Sequence, residues 1–454
     1  MIIDHAAITG LGSIGHGTLR SVRPYGGHPR DVTIRGGRIA AIAPALGPAG
    51  TAPETDAVDI DAVGLVMLPG FVDLHTHLRD PGDGRSETVA SGTRAAAAGG
   101  FTDVFAMANT DPVTDTAERV EAVAETARRG ASARVHPVGA ITYGLEGTSL
   151  TDLPALAAAG AQLFSDDGKC VDDAEIMFAA LEQAALHDLV LAQHAQHGQL
   201  AGRGQINAGA AAVRTGLPPW HAAAEETVIA RDVILAGHAR ARLHICHIST
   251  RGSVEVIRWA KSQGWNITCE VTPHHLLLTD ELTALSDPRY KVNPPLRTDD
   301  DVRALREALR DGTVDAIATD HAPHTADSKK RTWCDAPFGM TALETALPVA
   351  ARVLSETGGQ QWPLLAKLMS TNPARIGSIS DRAGRPIAVG EPATFALIDP
   401  TTRFTVRDNE FHSLSTNSPF TGESFTSRVV ATAIDGQLTH IIPSIASALN
   451  RTRP

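Results

Sequence analysis

The segment Asp73-Leu74-His75-Thr76-His77 places two histidines one residue apart. In an extended chain alternate side chains point to the same side, so both imidazoles can aim at one point and bind one metal ion. An isolated pair of this kind reads equally well as two polar histidines beside a loop. Its company changes that reading, because Asp166-Asp167-Gly168, His194, His247 and Asp320-His321 each lie at or just beyond the end of an apolar run. Four histidines with two carboxylates suit a borderline divalent ion held through nitrogen and oxygen, with zinc the default. His75, His77, Asp167, His194, His247 and Asp320 together exceed the needs of one tetrahedral ion. Two divalent metal ions, about 3.5–4 Å apart and sharing a bridging carboxylate, would use the whole set and hold a hydroxide for attack on a carbonyl carbon. The chemistry expected is metal-assisted hydrolysis.

These residues need a scaffold that brings distant segments to one place. Between residues 66 and 321, short apolar runs alternate with longer helix-patterned stretches, the mark of successive βα units around a parallel sheet. Eight strands are expected, at 66–75, 102–109, 134–141, 161–166, 189–194, 241–249, 266–275 and 315–321. That number closes a (β/α)8 TIM barrel, whose chemistry sits at the C-terminal strand ends, where the polar residues above fall. In the sixth strand His247 shares parity with Leu243 and Ile245 and is expected to face the barrel interior, with His244 facing the other way in a structural role. Stretches 31–44 and 384–400 read as hairpins with Gly-containing turns. Both termini are expected to build one small discontinuous β domain, sandwich-like, from residues 1–65 and 380–454, with the hydrolase barrel over 66–379. The charged, aperiodic segment 323–337 reads as an active-site loop, mobile when empty and ordered over substrate.

Across 454 residues, 51 acidic side chains outnumber 40 basic ones, for a net charge of −11. With no basic run, that balance argues against electrostatic binding to nucleic acid or an anionic membrane and favours small-molecule chemistry. Cys170, Cys246, Cys269 and Cys334 are scattered without a C-x-x-C pair, which suggests neither a disulfide framework nor a thiolate zinc site and fits a reducing cytoplasm. The N-terminus has no basic stretch ahead of an apolar run, and no later segment reaches about 18 uninterrupted apolar residues, so neither secretion nor a membrane span is expected.

The motifs HTHLR at 75–79, SDDG at 165–168, His247-Ile-Ser, EVTPHH at 270–275, NPP at 293–295 and ATDHAPH at 318–324 resemble the dihydroorotases of the amidohydrolase superfamily along nearly the whole barrel. The likeness is nearest to the class whose bridging ligand is an aspartate rather than a carboxylated lysine. It implies that His75 and His77 hold one zinc ion, that His194 and His247 hold the other, and that Asp167 bridges. It further implies reversible interconversion of (S)-dihydroorotate and N-carbamoyl-L-aspartate in pyrimidine biosynthesis. Asp320 would both touch the metal and act as acid and base, taking a proton from the attacking hydroxide and returning it to the leaving nitrogen.

Arg79, two residues beyond His77, carries a planar fork suited to a carboxylate beside the metals. By the same resemblance Asn109 and His324 join Arg79 around that carboxylate, Asn293, Phe338 and Gly339 meet the ring, and His77 also contacts the substrate. The family includes partners of aspartate transcarbamoylase, which makes that enzyme a candidate partner, and a homodimer is a candidate assembly that the sequence leaves open. Where the family usually shows an acidic residue after the strand-five histidine, this chain reads His194-Ala195-Gln196, which puts the orientation of the metal ligands in question. Lys169, two residues after Asp167, is the alternative bridge, in the manner of hydantoinases and allantoinases. Asp166 is expected to hold its loop through backbone hydrogen bonds, and His274 and His275 to be structural. Competing readings are another cyclic amidase, acting on hydantoins, dihydropyrimidines or allantoin, and a catalytically silent scaffold. The first leaves Arg79 unpaired; the second conflicts with a complete ligand set.

Overall fold

The computed structural model describes residues 14, 16–45, 58–356 and 358–443. Short runs rich in β-branched residues form β1 (His16–Pro24), β2 (Arg30–Arg35), β3 (Arg38–Pro44), β4 (Val58–Asp61) and β5 (Val66–Pro69). The hairpin between β2 and β3 turns on Gly36 and Gly37, with φ of 56° and 74°, a conformation glycine adopts without strain. A bulge between Leu19 and Val22 bends β1, whose first part pairs with β2 and β4 and whose end pairs with β5. Leu19, Val32, Ile39, Met67, Phe395 and Leu397 bury into one core beneath these strands.

Gly70 then separates β5 from β6 (Phe71–Thr76), so the stretch 66–75 expected as one strand serves two sheets. A Cβ at Gly70 would lie 2.4 Å from Thr102 Cγ2, leaving no room for a side chain where the chain passes between them. From β6 the barrel runs through β7 (Phe101–Ala106), β8 (Arg134–Gly139), β9 (Leu163–Phe164) and β10 (Val190–Gln193). A two-stranded insert, β11 (Ile206–Asn207) and β12 (Pro219–Trp220), precedes the last barrel strands, β13 (Arg242–Ile245), β14 (Ile267–Val271) and β15 (Ala316–Ile317). These eight parallel strands follow one another in order, and Thr76 bridges His321 to bring the last strand's exit against the first, nearly closing the barrel.

Two apolar layers surround the strands. Leu243, Ile245 and Val271 share a buried cluster with Val228, Ile229 and Ile257 of the flanking helices Ala223–Ala239 and Arg251–Ser262. Val138, Leu163, Val190, Ala192, Ala316 and Ala318 form the inner cluster, together with Ala374 and Ile376. Arg242, at the start of β13, donates to Ile376 O at 3.3 Å, which places that floor at the N-terminal strand ends. The opposite, C-terminal rim is left to polar residues.

After the barrel come β16 (Phe395–Asp399), β17 (Phe404–Thr405), β18 (Ser424–Phe425), β19 (Arg428–Ile434) and β20 (Gln437–Ile441). β16 inserts antiparallel between β5 and β19, so strands from both ends of the chain share one eight-stranded sheet. The hairpin expected over 384–400 is not formed: only Phe395–Asp399 is a strand, and its partners lie elsewhere. Pro386 and Pro392 lack the N–H that a ladder through that stretch would need. The strand expected over 266–275 likewise stops at Val271, and Pro273 opens the short helix Pro273–Leu277 that carries His274 and His275. Among the described residues no helix is long and apolar enough to cross a membrane.

Candidate active site

Three barrel strands, β6, β13 and β15, deliver their polar residues by a local irregularity at or beyond the C-terminal end. The register of β6 against β7 shifts between Asp73 and Thr76, which turns His75 and His77 toward the rim. His247 lies two residues beyond β13 with φ 29°, Asp320 beyond β15 with φ 45°, and Arg79 beyond β6 with φ 55°. Non-glycine residues at positive φ are strained and persist where their surroundings over-determine them.

Those surroundings are buried carboxylates. Asp73 accepts from Thr319 N at 2.9 Å, next to Asp320; Asp166 accepts from Ile141 N at 2.8 Å and Thr142 N at 2.9 Å, next to Asp167. Asp232 accepts from Gln193 Nε2 at 2.7 Å, next to His194, and Glu225 accepts from Ser249 N at 2.8 Å, just after His247. The role expected of Asp166, holding a loop by its backbone N–H groups, is therefore shared by Asp73 and Glu225, while Asp232 acts through the Gln193 side chain. Burial pushes the Asp73 carboxyl up to about 7, against its bonds from Thr319.

The side chains so placed converge. Asp167 Oδ1 lies 3.2 Å from His75 Nε2, 3.1 Å from His194 Nδ1 and 3.4 Å from His247 Nε2, while its Oδ2 lies 3.3 Å from His77 Nε2. Asp320 Oδ1 lies 3.1 Å from His77 Nε2 and 3.6 Å from His75 Nε2. His194 Nδ1 and His247 Nε2, both acceptor-type positions in a ligand imidazole, approach to 2.9 Å. Ligand atoms on a tetrahedral ion with bonds of about 2.0–2.1 Å sit about 3.3 Å apart, so these spacings are those of a coordination shell. His75 Nε2 is buried and hydrogen-bonds to no described residue, although carboxylates face it. Burial opposes a charge on this ring, yet Asp167 and Asp320 hold it well toward the cationic form. An environment that asks for positive charge at an unpartnered lone pair fits a divalent cation.

The other ring nitrogens are also accounted for. His75 Nδ1 donates to Glu270 Oε1 at 2.9 Å, and Glu270 Oε2 accepts from His244 Nε2 at 3.0 Å. Burial would raise the Glu270 carboxyl, but the two histidines hold it down to about 2. This fixes the His75 tautomer with Nε2 free for a metal. His77 Nδ1 donates to Asn109 Oδ1 at 2.9 Å, and His194 Nε2 to Gln196 Oε1 at 2.8 Å. Gln196 Oε1 accepts Asn293 Nδ2 as well, at 2.8 Å, so a neutral amide oxygen meets the orienting need questioned from the sequence.

Above this cluster opens a cleft of about 600 Å³ lined by His77, Arg79, Asn109, Asp167, His194, His247, Asn293, Asp320, Phe338 and Gly339. His324 stands behind that wall, its Nε2 donating to Phe338 O at 2.6 Å. Lys169 is exposed in the turn beyond Gly168, whereas Asp167 is buried. His274 and His275 are buried outside the converging set, with His275 bonded to Thr272 and Pro294 O.

The placement of His247 has a different cause from the one expected. Leu243 and Ile245 face the outer helices, and His244 faces inward to Glu270, so strand parity would have pointed His247 away. The strand ends at Ile245 and the positive φ of His247 returns its ring to the rim. Glu270 and Glu225 carried no site role in the sequence reading. For Glu270 the available signal is a glutamate inside an apolar strand, since acidic residues are almost never fully buried unless paired; Glu225, in the first turn of the helix Ala223–Ala239, gives no such signal.

A family model described as dihydro-orotase-like matches residues 64–253. A dihydroorotase of Streptomyces coelicolor is 51% identical over 430 residues, covering 93% of this chain and 99% of the relative. A dihydroorotase of Mycobacterium tuberculosis is 47% identical over 424 residues, covering 93% and 97%. Among solved structures, an L-hydantoinase of Arthrobacter aurescens superposes with a TM-score of 0.81 at 25% identity, covering 93% of this chain and 95% of that one. A dihydropyrimidinase of Brevibacillus agri shares the fold, with a TM-score of 0.78 at 24% identity over 93% and 94% of the two chains.

Proposed function

The chain belongs to the dihydroorotase family, and from that premise we propose that it interconverts (S)-dihydroorotate and N-carbamoyl-L-aspartate in pyrimidine biosynthesis, on two zinc ions. The barrel over about 66–379 is the hydrolase unit, and the sheet built from both ends of the chain is its companion. His75 and His77 would hold one ion and His194 and His247 the other, with Asp167, within 3.4 Å of all four, available to both. When bound, the ions polarise the ring amide carbonyl and lower the pKa of water.

The remaining chemistry falls to the chain's own residues. Asp320, lining the cleft beside His77, takes the proton of the attacking water and passes it to the departing ring nitrogen; cyclisation runs these transfers in reverse. Arg79 grips the substrate carboxylate with two parallel N–H donors, and Asn109 and His324 close that end of the cleft. Asn293, Phe338 and Gly339 meet the ring. A cytoplasmic homodimer, with aspartate transcarbamoylase as a candidate partner, completes the reading.

One observation carries the choice of substrate. Arg79 projects into the cleft with no hydrogen bond or ion pair to any described residue, and burial lowers the affinity of its guanidinium for a proton. A partly buried cation without a partner is costly, and a substrate carboxylate relieves that cost where a neutral hydantoin or dihydrouracil ring does not. Arg79→Met should raise KM for dihydroorotate by about 10²-fold, the loss expected when a charge-assisted bond of about 1.5–3 kcal/mol disappears, and leave metal content intact. An unchanged KM would rule out Arg79 as the carboxylate receptor.

A further inference from the structure

Phe338 and Gly339 reach the cleft from a loop, 323–339, that is mostly polar and short of apolar anchors. Trp333 Nε1 donates to Gln205 O at 3.2 Å and Asn417 bonds both ends of the loop, at His324 N and Gly339 O. Across to the 288–294 segment the loop is tied by two lysines. Lys291 is 2% exposed and Lys329 is 6% exposed, both unusual for this residue type. Lys291 Nζ donates to the carbonyls of Trp333 at 2.7 Å, Ala336 at 2.6 Å and Cys334 at 3.3 Å. Lys329 Nζ donates to the carbonyls of Pro288 at 2.9 Å, Pro337 at 2.8 Å and Lys291 at 3.2 Å. An ammonium group has three donors, so both use their full complement on backbone oxygens. Neither forms an ion pair with a carboxylate among the described residues.

The two contacts are reciprocal. Lys291 belongs to the 288–294 segment and reaches into the loop; Lys329 belongs to the loop and reaches back to 288–291. Lys291 Nζ also stands 4.3 Å from the centroid of the Phe338 ring, and Gly339 N donates to Lys291 O at 2.9 Å. Asn293 follows Lys291 by two residues and Phe338 follows Pro337 by one. Burying two like charges near each other is unfavourable, and burial together with Lys291 brings Lys329 down to about 7. Apolar side chains would have filled the space without that cost. Only a three-donor group can gather three carbonyls at one atom, as Lys291 does from 333–336 and Lys329 does from 288–291 and Pro337.

We infer that Lys291 and Lys329 are positioning residues, an ammonium latch that ties the 323–339 loop to the 288–294 segment and so sets Phe338, Gly339 and Asn293 at the cleft. The inference rests on the reading of that cleft as the dihydroorotate site, and its test includes a readout that does not.

The test compares Lys329→Met, Lys291→Met and the exposed-neighbour control Lys330→Met in the full metal-loaded chain. The first readout is limited trypsin cleavage at Lys330 and Arg331 (Arg331 alone in the control) with amide exchange over 326–338; the second is KM and kcat on dihydroorotate. Both latch variants should be cleaved about tenfold faster, as a locally loosened segment is, with KM raised about tenfold, kcat changed by less than about threefold, and metal content unchanged. Lys330→Met should match the wild type in all of these except the cleavage site it removes. Lys329→Gln, which keeps two donors, should fall between wild type and Lys329→Met, and it carries the test if the methionine variants do not fold. A protected loop in the latch variants would overturn the latch. A loosened loop with unchanged KM, or a raised KM that tracks metal loss, would overturn the positioning role. If no form turns over dihydroorotate, the substrate reading fails while the protease readout still decides the latch.

Discussion

His75 divides its two ring nitrogens between two tasks. Nδ1 is tied to Glu270, and Nε2 stands 3.2 Å from Asp167 and 3.6 Å from Asp320 without a hydrogen bond to a described residue. Because Glu270 also holds His244, the ring is fixed by a buried carboxylate that lies outside the converging set. Asp320 stands at the other limit: it touches the histidine cluster and also lines the cleft, the position an acid and base needs. Asp320→Asn keeps a carbonyl oxygen at the same place but cannot carry the proton. It should retain nearly all bound metal and lose about 10²–10⁴-fold in kcat, read by metal analysis beside steady-state assays. A variant with normal turnover would remove Asp320 from the proton path.

At the scale of elements, the strand ends do the placing, and here the sequence was legible in some respects only. The alternation of apolar runs with helical stretches reveals the eight βα units, because burial on both faces of a parallel strand leaves a continuous apolar run. It does not reveal where a strand stops. His247 reaches the site through a backbone turn after Ile245, and His75 through a register shift, neither of which a period-2 pattern encodes. The run 66–75 hid a change of sheet at Gly70 for the same reason: both parts are buried and apolar. The site residues themselves stood out because histidine and aspartate are rare beside apolar runs, while Glu270 was masked by the EVTPHH motif and Glu225 by its place in the first turn of a helix, where acidic residues are ordinary. Glu225 is the clearest test of the strand-end device. It accepts from Ser249 N and Ser253 Oγ and lies 3.7 Å from the buried Arg297. Glu225→Ala leaves that cation uncompensated and should cost about 3–5 kcal/mol in urea denaturation, with weaker retention of metal at the His247 side. A loss under about 1 kcal/mol would mean the junction after β13 is held by other contacts.

Over the whole molecule, two sheets meet at one glycine, and the strand before it is clasped by β1 and β16, so the barrel's first strand is anchored by both ends of the chain. The net charge of −11 gives no long-range attraction for an anionic substrate, so recognition of a carboxylate rests on Arg79 at short range. The barrel rim then combines a cation-demanding cluster with an unpaired guanidinium, the pairing that metal-dependent opening of a carboxylated ring requires. That pairing is tested most directly by following hydrolysis of dihydroorotate, dihydrouracil, hydantoin and allantoin with the protein as isolated, after chelation, and after zinc is restored. Dihydroorotate should be the preferred substrate, its turnover should vanish on chelation, and zinc should restore it. Undiminished activity after the metal is gone, or a preference for one of the three rings without a carboxylate, would contradict the account.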